Sequence, residues 1–235
     1  MGLTVNSRIV YDGLVICYDP SNPVSYPGSG NIIYDISGNG NNGDLTSTGF
    51  STSNQGHLTL NGTSSFIQFP STTLLRTGSC FSIWFNVTDF TTFTAGKTIN
   101  SRGLVSGLNG FSQQVAVYNG GFGFETDQNS NPQDIAGDLA PGDYPQVEIT
   151  SGVWINFAMS FASNIATIYI NGEEKRTVSG LAANLTIQYI GNILSPDNYP
   201  DYFKGGIGSF FLYDRALTSE EIKLNYNASK LKYLV

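Results

Sequence analysis

Apolar residues alternate with polar ones along much of the chain, at the period of two that sends successive side chains to opposite faces of a β-strand. Phe81, Ile83 and Phe85 share one face in this way, and Trp84 lies on the other. Asn-Gly pairs, which form the tight turns of β-hairpins, occur at positions 39–40, 42–43, 61–62, 109–110, 119–120 and 171–172. The pattern predicts two antiparallel sheets packed face to face.

The predicted fold is an all-β sandwich in a single domain that occupies residues 1–235. A chain of this length buries about 70–75 per cent of its unfolded surface, so its core needs no metal or disulfide. The alternating segments predict strands at Leu14–Asp19, His57–Asn61, Ser65–Phe69, 81–87, Arg102–Gly107, Gln114–Tyr118, Phe122–Thr126, 155–161, Ala166–Asn171, Thr177–Ser179, Leu185–Ile190 and Ile207–Asp214.

One short helix is predicted near the C-terminus. Thr218 and Glu221 have the spacing of a capping box, in which each side chain accepts a hydrogen bond from the other residue's backbone N–H. The helix is predicted to run from Ser219 to about Ala228, with Ile222 and Tyr226 turned inward.

The low charge content and the negative net charge of the chain argue against nucleic acid as a partner. Charged residues make up 12% of the sequence, about half of the roughly 25% that is usual. The net charge is −7, and the 11 Lys and Arg residues form no basic stripe, so we expect no nucleic-acid binding.

The first residues lack a basic region followed by an apolar run, so we expect no secretory signal. We also expect no membrane insertion, since no apolar segment approaches the length of a membrane span.

The two cysteines, Cys17 and Cys80, both lie in apolar runs. A free cysteine behaves as a small hydrophobic residue, so two buried free thiols are predicted. A disulfide between them is the alternative, although two cysteines do not make a disulfide scaffold.

The loop around Asp35 carries half of a calcium-binding pattern. Asp35, Ser37 and Asn39 place oxygen atoms at alternate positions, and Gly40 permits a sharp turn. The position of the bidentate Glu that would close the cage is Thr46. Two interpretations follow: an oxygen-ligand site completed from elsewhere in the fold, or a tight turn with no ion.

Several landmarks together resemble the laminin-G-like domains of the concanavalin A-like lectin/glucanase superfamily, over nearly the whole chain. They occur in the order Gly13-Leu14-Val15, Asp35–Gly40, Trp154, Tyr169–Gly172 and Gly206–Ile222. Residues 18–23 and 25–30 are similar to the versions found in tailed-phage virion proteins. The resemblance implies a jelly-roll sandwich whose first and last strands pair.

The resemblance also implies that Asp214 approaches the Asp35 loop. With Asp35, Ser37 and Asn39 it would then supply ligands for calcium, which takes six to eight oxygens. The alternative for Asp214 is an ion pair or a turn bond near Arg215.

Enzymatic activity is not expected. The glucanases of the superfamily carry three acids on one strand, whereas here Glu125 and Asp127 are followed by Gln128 and no third acid. His57 is the only histidine and is predicted on the outer face of a strand, so a triad or zinc site lacks residues. A degenerate glucanase remains the third hypothesis for function.

Sugar binding is the chemistry that the aromatic residues favour, because their rings stack on sugar faces while amides bind hydroxyls. The predicted ligand-binding residues are Trp84 on an outer sheet face and, in the 195–203 loop, Asp197, Asn198, Tyr199 and Tyr202. The alternatives are that Trp84 packs under a covering loop and that the tyrosines anchor their own loop.

The leading functional hypothesis is a non-enzymatic, lectin-like protein of a phage virion, made in the host cytoplasm. It would act as a capsid decoration or as a tail or fibre module that contacts a receptor. Its partners would be virion structural proteins, cell-surface glycans or both. The alternative is a free or cell-surface bacterial carbohydrate-binding lectin.

Overall fold

The computed structural model describes residues 8–75, 77–88, 101–107, 114–118, 121–125, 149–179, 184–193 and 201–233. In these ranges the chain forms strands, one short 3-10 turn (Ser53–Gln55) and one α-helix. The elements are β1 (Leu14–Tyr18), β2 (Ile32–Ile33), β3 (Gly43–Thr46), β4 (Gly49–Ser51), β5 (His57–Asn61), β6 (Phe66–Leu74), β7 (Gly78–Val87), β8 (Ser101–Ser106), β9 (Gln114–Tyr118), β10 (Gly121–Glu125), β11 (Trp154–Ala162), β12 (Ile165–Ile170), β13 (Glu173–Ser179), β14 (Leu185–Ile190), β15 (Asn192–Ile193), β16 (Asp201–Tyr202), β17 (Lys204–Tyr213) and α1 (Ser219–Tyr233).

The strands form two antiparallel sheets. Sheet A has eight strands in the order β13-β12-β11-β7-β17-β5-β4, with β1 also paired to β17. Sheet B has seven strands in the order β10-β9-β8-β14-β6-β3-β2. The strands β15 and β16 form a separate two-stranded ribbon. This is the two-sheet jelly roll with a C-terminal helix that the sequence predicts, and its first and last strands pair as the resemblance implies.

The main core lies between the sheets, where the alternation predicts it. Phe81, Ile83 and Phe85 of β7 are fully buried there with inward residues of sheet B such as Ile67 and Ile187. Burying a large apolar side chain contributes roughly 1.5–3 kcal/mol. The two sheets are therefore held together by one continuous apolar layer.

Helix α1 adds a third layer on the outer face of sheet A. Its N-terminus is the predicted capping box: the Glu221 N–H donates to Thr218 Oγ1 at 3.3 Å, and the Thr218 N–H donates to Glu221 Oε2 at 3.0 Å. The helix continues beyond the predicted end to Tyr233, whose ring lies 4.8 Å from that of Trp84. Tertiary packing therefore extends the helix beyond what local signals indicate.

The hairpin at Asn171-Gly172 is confirmed. Both residues have positive φ angles, 53° and 75°, as a two-residue turn of the I′ type requires. The turn connects β12 to β13, and β13 begins at Glu173 rather than at the predicted Thr177. Pairing with β12 thus draws a charged segment into the sheet despite its low β-propensity.

The cysteines are both free and buried, as predicted. They lie in an apolar cluster under the N-terminal part of α1, together with Leu217 and Ile222. Burial raises the pKa of the Cys17 thiol to about 12 and also raises the pKa of Cys80. Both thiols are therefore protonated at neutral pH and act as core residues. Among the described helices, none is long and apolar enough to span a membrane.

Candidate functional site

Trp84 lies on the outer face of sheet A, as the alternation predicts, but it is not exposed. Its ring is 0% accessible, stacks on Tyr226 with 5.6 Å between ring centroids, and packs against Tyr233. Its Nε1–H donates to Ser229 Oγ at 2.8 Å. The prediction of Trp84 as an exposed sugar platform is therefore wrong, because helix α1 covers it.

The Asp35 loop is closed by hydrogen bonds of its own. The Asp35 carboxylate accepts from the backbone N–H of Cys17 at 2.9 Å, of Ser37 at 2.9 Å and of Asn41 at 3.0 Å. The Ser37 hydroxyl lies 2.8 Å from the same carboxylate. Asn39 directs its amide nitrogen, a donor, to the Leu14 carbonyl at 2.9 Å. These contacts fasten the loop to β1 without an ion.

Asp214 lies at the opposite side of β1, over Gly13. The Asp214 N–H donates to the Gly13 carbonyl at 2.9 Å, and a Cβ on Gly13 would approach Asp214 Oδ1 to 2.8 Å. An ionised carboxylate offers about four acceptor sites, and the donors around Asp35 already take that number. The residues as placed do not fit a calcium cage.

Calcium binding by Asp35, Ser37, Asn39 and Asp214 stays a prediction. If it occurs, calcium should raise the Tm of the parent protein but not that of Asp35→Ala, measured against EDTA by differential scanning fluorimetry. A parent Tm that is identical with and without calcium would refute it. Among the described residues, no group of three or more His, Cys, Asp or Glu side chains is placed to hold a metal ion.

The remaining predicted ligand-binding residues lie on β16 or in the segment that connects β15 to it. Asp197, Asn198 and Tyr199 lie outside the described residues. Tyr202 is on β16, is half-buried, and is the direct partner of Asn192 on β15. Directly opposed residues of an antiparallel pair present their side chains on the same face, with Cβ atoms about 4.5–5.5 Å apart. The tyrosine ring and the asparagine amide are therefore neighbours.

The ribbon is fixed to β8 of sheet B by its backbone. The Gly191 N–H donates to the Leu104 carbonyl at 2.9 Å, and the Phe203 N–H donates to the Gly191 carbonyl at 2.9 Å. The Ser106 hydroxyl donates to the Asn192 carbonyl at 2.5 Å. We call Ser106, Asn192 and Tyr202 the rim site, because they meet where the ribbon connects one end of sheet B to the start of β17.

The polar side chains of the rim site are incompletely paired. Asn192 is 0% exposed, yet neither its Nδ2 nor its Oδ1 has a hydrogen-bond partner. Outside the rim site, Oε1 of Gln188 on β14 is also buried and unpaired. More than nine in ten buried polar groups in native proteins are paired, so such atoms require an explanation. The sequence offers one signal for Asn192, a polar residue directly after a strand and a glycine, but nothing in it shows that the amide is unpaired.

A row of residues on the outer face of sheet B leads to the rim site. Register pairs join Asp44 to Gln68, Gln68 to Tyr189, and Tyr189 to Ser106. Their neighbours in sequence, such as Leu45 and Ile190, point into the core. The outer face of sheet B thus carries polar residues together with the rings of Tyr189 and Phe66, whose centroids are 5.8 Å apart, whereas α1 covers the outer face of sheet A.

The residues considered for catalysis lie elsewhere. His57 is on the outer face of sheet A but buried, 5.0 Å from the ring of Trp154. Burial lowers the pKa of His57, and the bond of its Nδ1 with the Ser53 carbonyl opposes this shift. Glu125 ends β10, and Asp127 lies outside the described residues.

The two-sheet jelly roll with a polar rim defines a lectin-like sandwich protein. The Laminin_G_3 family of the concanavalin A-like lectin/glucanases superfamily matches at residues 61–223. This is more than half of the chain, and the protein belongs to that family. No match was found among curated protein sequences.

Solved structures with the same fold are distant in sequence. Domain 4 of an extracellular arabinanase from Geobacillus stearothermophilus, in complex with arabinotriose, has a TM-score of 0.60 and 18% identity, covering 92% of this chain and 98% of that one. The ligand-binding domain of botulinum neurotoxin serotype D, in complex with N-acetylneuraminic acid, has a TM-score of 0.62 and 14% identity, covering 93% and 51%. A mutant Trypanosoma rangeli sialidase has a TM-score of 0.64 and 15% identity, covering 94% and 33%. At these identities the likeness concerns the fold alone, and this chain spans about half or less of the latter two.

Proposed function

We propose that this protein is a non-enzymatic carbohydrate-binding protein whose ligand occupies the rim site. The observation that carries the proposal is Tyr202, which lies half-buried on the β15–β16 ribbon. A tyrosine ring can present an apolar face to the C–H groups of a sugar. Membership of a lectin/glucanase superfamily and the sugar complexes of two structural relatives support this.

A glycan array is the first test. The parent should bind at least one class of glycan, and Tyr202→Ala should lose most of that signal because the stacking surface is removed. Tyr202→Phe keeps the ring and should retain binding. A parent that binds no glycan would overturn the proposal.

Tyr11→Ala is the control for the loss of a tyrosine ring away from the rim site. Tyr11 is 66% exposed and lies next to Leu14, which pairs with the last residue of β17. Tyr202 lies two residues before Lys204, the first residue of the same ten-residue strand, so the two tyrosines are separated by roughly 30 Å of strand. The control should bind glycans as the parent does, and an equal loss in both variants would point to non-specific adsorption.

We propose further that the protein acts on a phage virion, as a capsid decoration or a receptor-contacting tail module. The support is the similarity of residues 18–23 and 25–30 to segments of tailed-phage virion proteins. Contacts with virion proteins in a particle map would agree with this proposal. Recovery of the protein only from secreted or cell-surface fractions would favour the bacterial lectin instead.

The absence of catalysis is part of the proposal and has its own test. Polysaccharide incubated with the parent should remain uncleaved, and Glu125→Gln should behave identically. Cleavage that disappears in Glu125→Gln would identify the degenerate glucanase as the correct hypothesis.

A further inference from the structure

The only histidine of the chain is buried at one edge of sheet A, away from the rim site. His57 begins β5, opposite Ser51 of the edge strand β4, and it directly follows the turn that connects these two strands. Its ring lies edge-on to Trp154, with 5.0 Å between the ring centroids. A Cβ on Gly206 would come within 3.0 Å of His57 Cδ2 and 2.9 Å of Trp154 Cη2, so both rings pack directly on the backbone of β17.

The turn before His57 has an unfavourable backbone conformation. Asn54 and Gln55 have φ angles of 51° and 61°, and Gly56 follows with 116°. Residues with a Cβ rarely adopt this left-handed region, because the Cβ approaches the following carbonyl oxygen. Two such residues in succession persist only where surrounding contacts hold them. The turn therefore has more favourable conformations available once those contacts are lost.

His57 is one of the residues that hold the turn. Its Nδ1 lies 3.1 Å from the Ser53 carbonyl oxygen, which also accepts from the Gly56 N–H at 3.0 Å. Gln55 Nε2 donates to the Leu231 carbonyl, in the last turn of α1, at 3.5 Å, which is long for a hydrogen bond. The position of the imidazole and the conformation of the turn therefore depend on each other.

His57 also covers one side of an aromatic cluster. Trp154 is 5% exposed, and its ring lies 4.7 Å from that of Tyr233, the last residue of α1. The Tyr233 hydroxyl is bonded to Ser209 of β17, so this ring has an anchor of its own. If His57 leaves, the edge-on contact with Trp154 is lost and the indole is opened to solvent.

The neighbours of His57 on the turn and on the adjacent strands carry no charge. Among the described residues they are Ser53, Ser51, Trp154 and Gly206. Lys204, which is also on β17, lies opposite Asn61 at the other end of β5. A positive charge on the imidazole therefore gains no carboxylate partner from these elements.

The ionisable groups at the end of α1 do not compensate for this. Burial raises the pKa of Tyr233, so its phenol stays neutral, and the Lys232 ammonium is paired with Asp19. Burial lowers the pKa of His57, and the bond to Ser53 opposes this shift without cancelling it. The imidazole therefore binds a proton more readily in water than in its position beside Trp154.

We propose that His57 and the 53–56 turn form an acid-sensitive gate over Trp154. When His57 gains a proton from solvent, the imidazole moves out into water, the turn relaxes, and Trp154 becomes exposed while the two sheets stay paired. This inference is independent of sugar binding at the rim site. Because the closed state binds the proton less tightly, the ratio of open to closed molecules rises by up to about tenfold for each pH unit below 6.5, until the pKa of the closed state is reached.

The chain contains its own reporters of this opening. Its two tryptophans, Trp84 and Trp154, both belong to the aromatic cluster, whereas Cys17 and Cys80 lie beneath the N-terminal part of α1. Between pH 7.5 and pH 5, quenching of tryptophan fluorescence by acrylamide should increase about twofold, since one of the two indoles becomes accessible. Over the same range, 4,4′-dithiodipyridine, which reacts with thiols in acid, should leave both cysteines unmodified.

Two variants test whether His57 and the turn are responsible. His57→Gln has no proton to gain, so its quenching should not change with pH over this range. Asn54→Gly relieves the unfavourable conformation and keeps the histidine, so its quenching should rise only at a lower pH than in the parent. If His57→Gln does not fold, the Asn54→Gly result decides.

Three results would overturn the gate. The first is a parent whose tryptophans are quenched equally at pH 7.5 and pH 5. The second is a rise in quenching that persists in His57→Gln, or that occurs in Asn54→Gly at the same pH as in the parent. The third is modification of the cysteines together with the rise in quenching, since this would mean that acid unfolds the whole protein.

Discussion

The outer face of sheet A and the rim site both bury polar side chains, but they differ in whether those side chains have hydrogen-bond partners. Under helix α1, Trp84 donates to Ser229, Asn156 donates to Ser82, and Asn225 donates to the Tyr213 hydroxyl at 3.0 Å. In the rim site, the Asn192 amide has no partner at all. Paired buried polar groups thus fix the position of helix α1, whereas the unpaired amide of the rim site carries a cost in stability.

The largest loss of stability is expected from substitution of Trp84, the ring on which helix α1 packs. Trp84→Ala should lower the free energy of unfolding by about 3–5 kcal/mol, because it leaves a cavity under α1 and removes the N–H that donates to Ser229. Urea unfolding followed by circular dichroism measures this. Trp84→Phe should recover part of the loss, and a change below about 1 kcal/mol would show that the helix does not depend on this contact.

The next effect tests the comparison between the two asparagines directly. Asn156→Leu should cost about 1–3 kcal/mol, because the Ser82 hydroxyl and the Ile83 carbonyl lose their donor. Asn192→Leu should cost nothing or add stability. Equal destabilisation by both substitutions would remove the distinction between a paired and an unpaired region.

A smaller effect is expected at the start of α1. Thr218→Ala removes the side chain that caps the helix and should cost about 1 kcal/mol. Thr218→Ser keeps the hydroxyl and serves as the control. Thermal unfolding should separate the two variants by a few degrees, and identical Tm values would mean that Glu221, held by Arg215, fixes the first turn alone.

The smallest effect is a dependence on pH that originates at His57. Burial lowers the pKa of His57 below its usual 6.5, so the unfolded chain binds the proton more readily than the folded one. The contribution of the neutral imidazole to stability is therefore complete above pH 6.5 and declines as the pH falls through the lower folded pKa. His57 is the only histidine, so a single imidazole NMR signal reports this titration.

His57→Gln is the control for that titration, since it keeps a polar side chain without a proton to gain. The parent Tm should fall more steeply than the variant Tm between pH 6.5 and pH 5. Parallel curves, or an imidazole that titrates at 6.5 or above, would contradict the expectation.

The sheets could be predicted because their signals are local. Alternation along β7 and the Asn171-Gly172 turn each identify their structure within a few residues. The start of α1 was predicted for the same reason, since Thr218 and Glu221 form its cap. The end of α1 was not, because Tyr233 is held by rings that are distant in sequence.

The candidate site was less predictable, because exposure and pairing are properties of the assembled fold. Alternation placed Trp84 on the correct face of its strand but could not show that α1 covers that face. Tyr202 was predicted as a ligand-binding residue from the composition of its loop, and it lies half-buried at the rim. Asn192 was missed, since the lack of partners depends on every residue around it.

The pairing of β1 with β17 determines how the protein responds to mechanical load. Leu14, at the beginning of β1, is opposite Tyr213, at the end of β17, so a force that separates these two residues loads the backbone hydrogen bonds one after another. Bonds loaded in sequence yield at lower force than bonds sheared together. A pull on Tyr233 reaches β17 only after α1 detaches from sheet A, where Trp84 and the Lys232–Asp19 ion pair hold it. Helix α1 therefore resists a force applied at Tyr233 before the strands of the two sheets do.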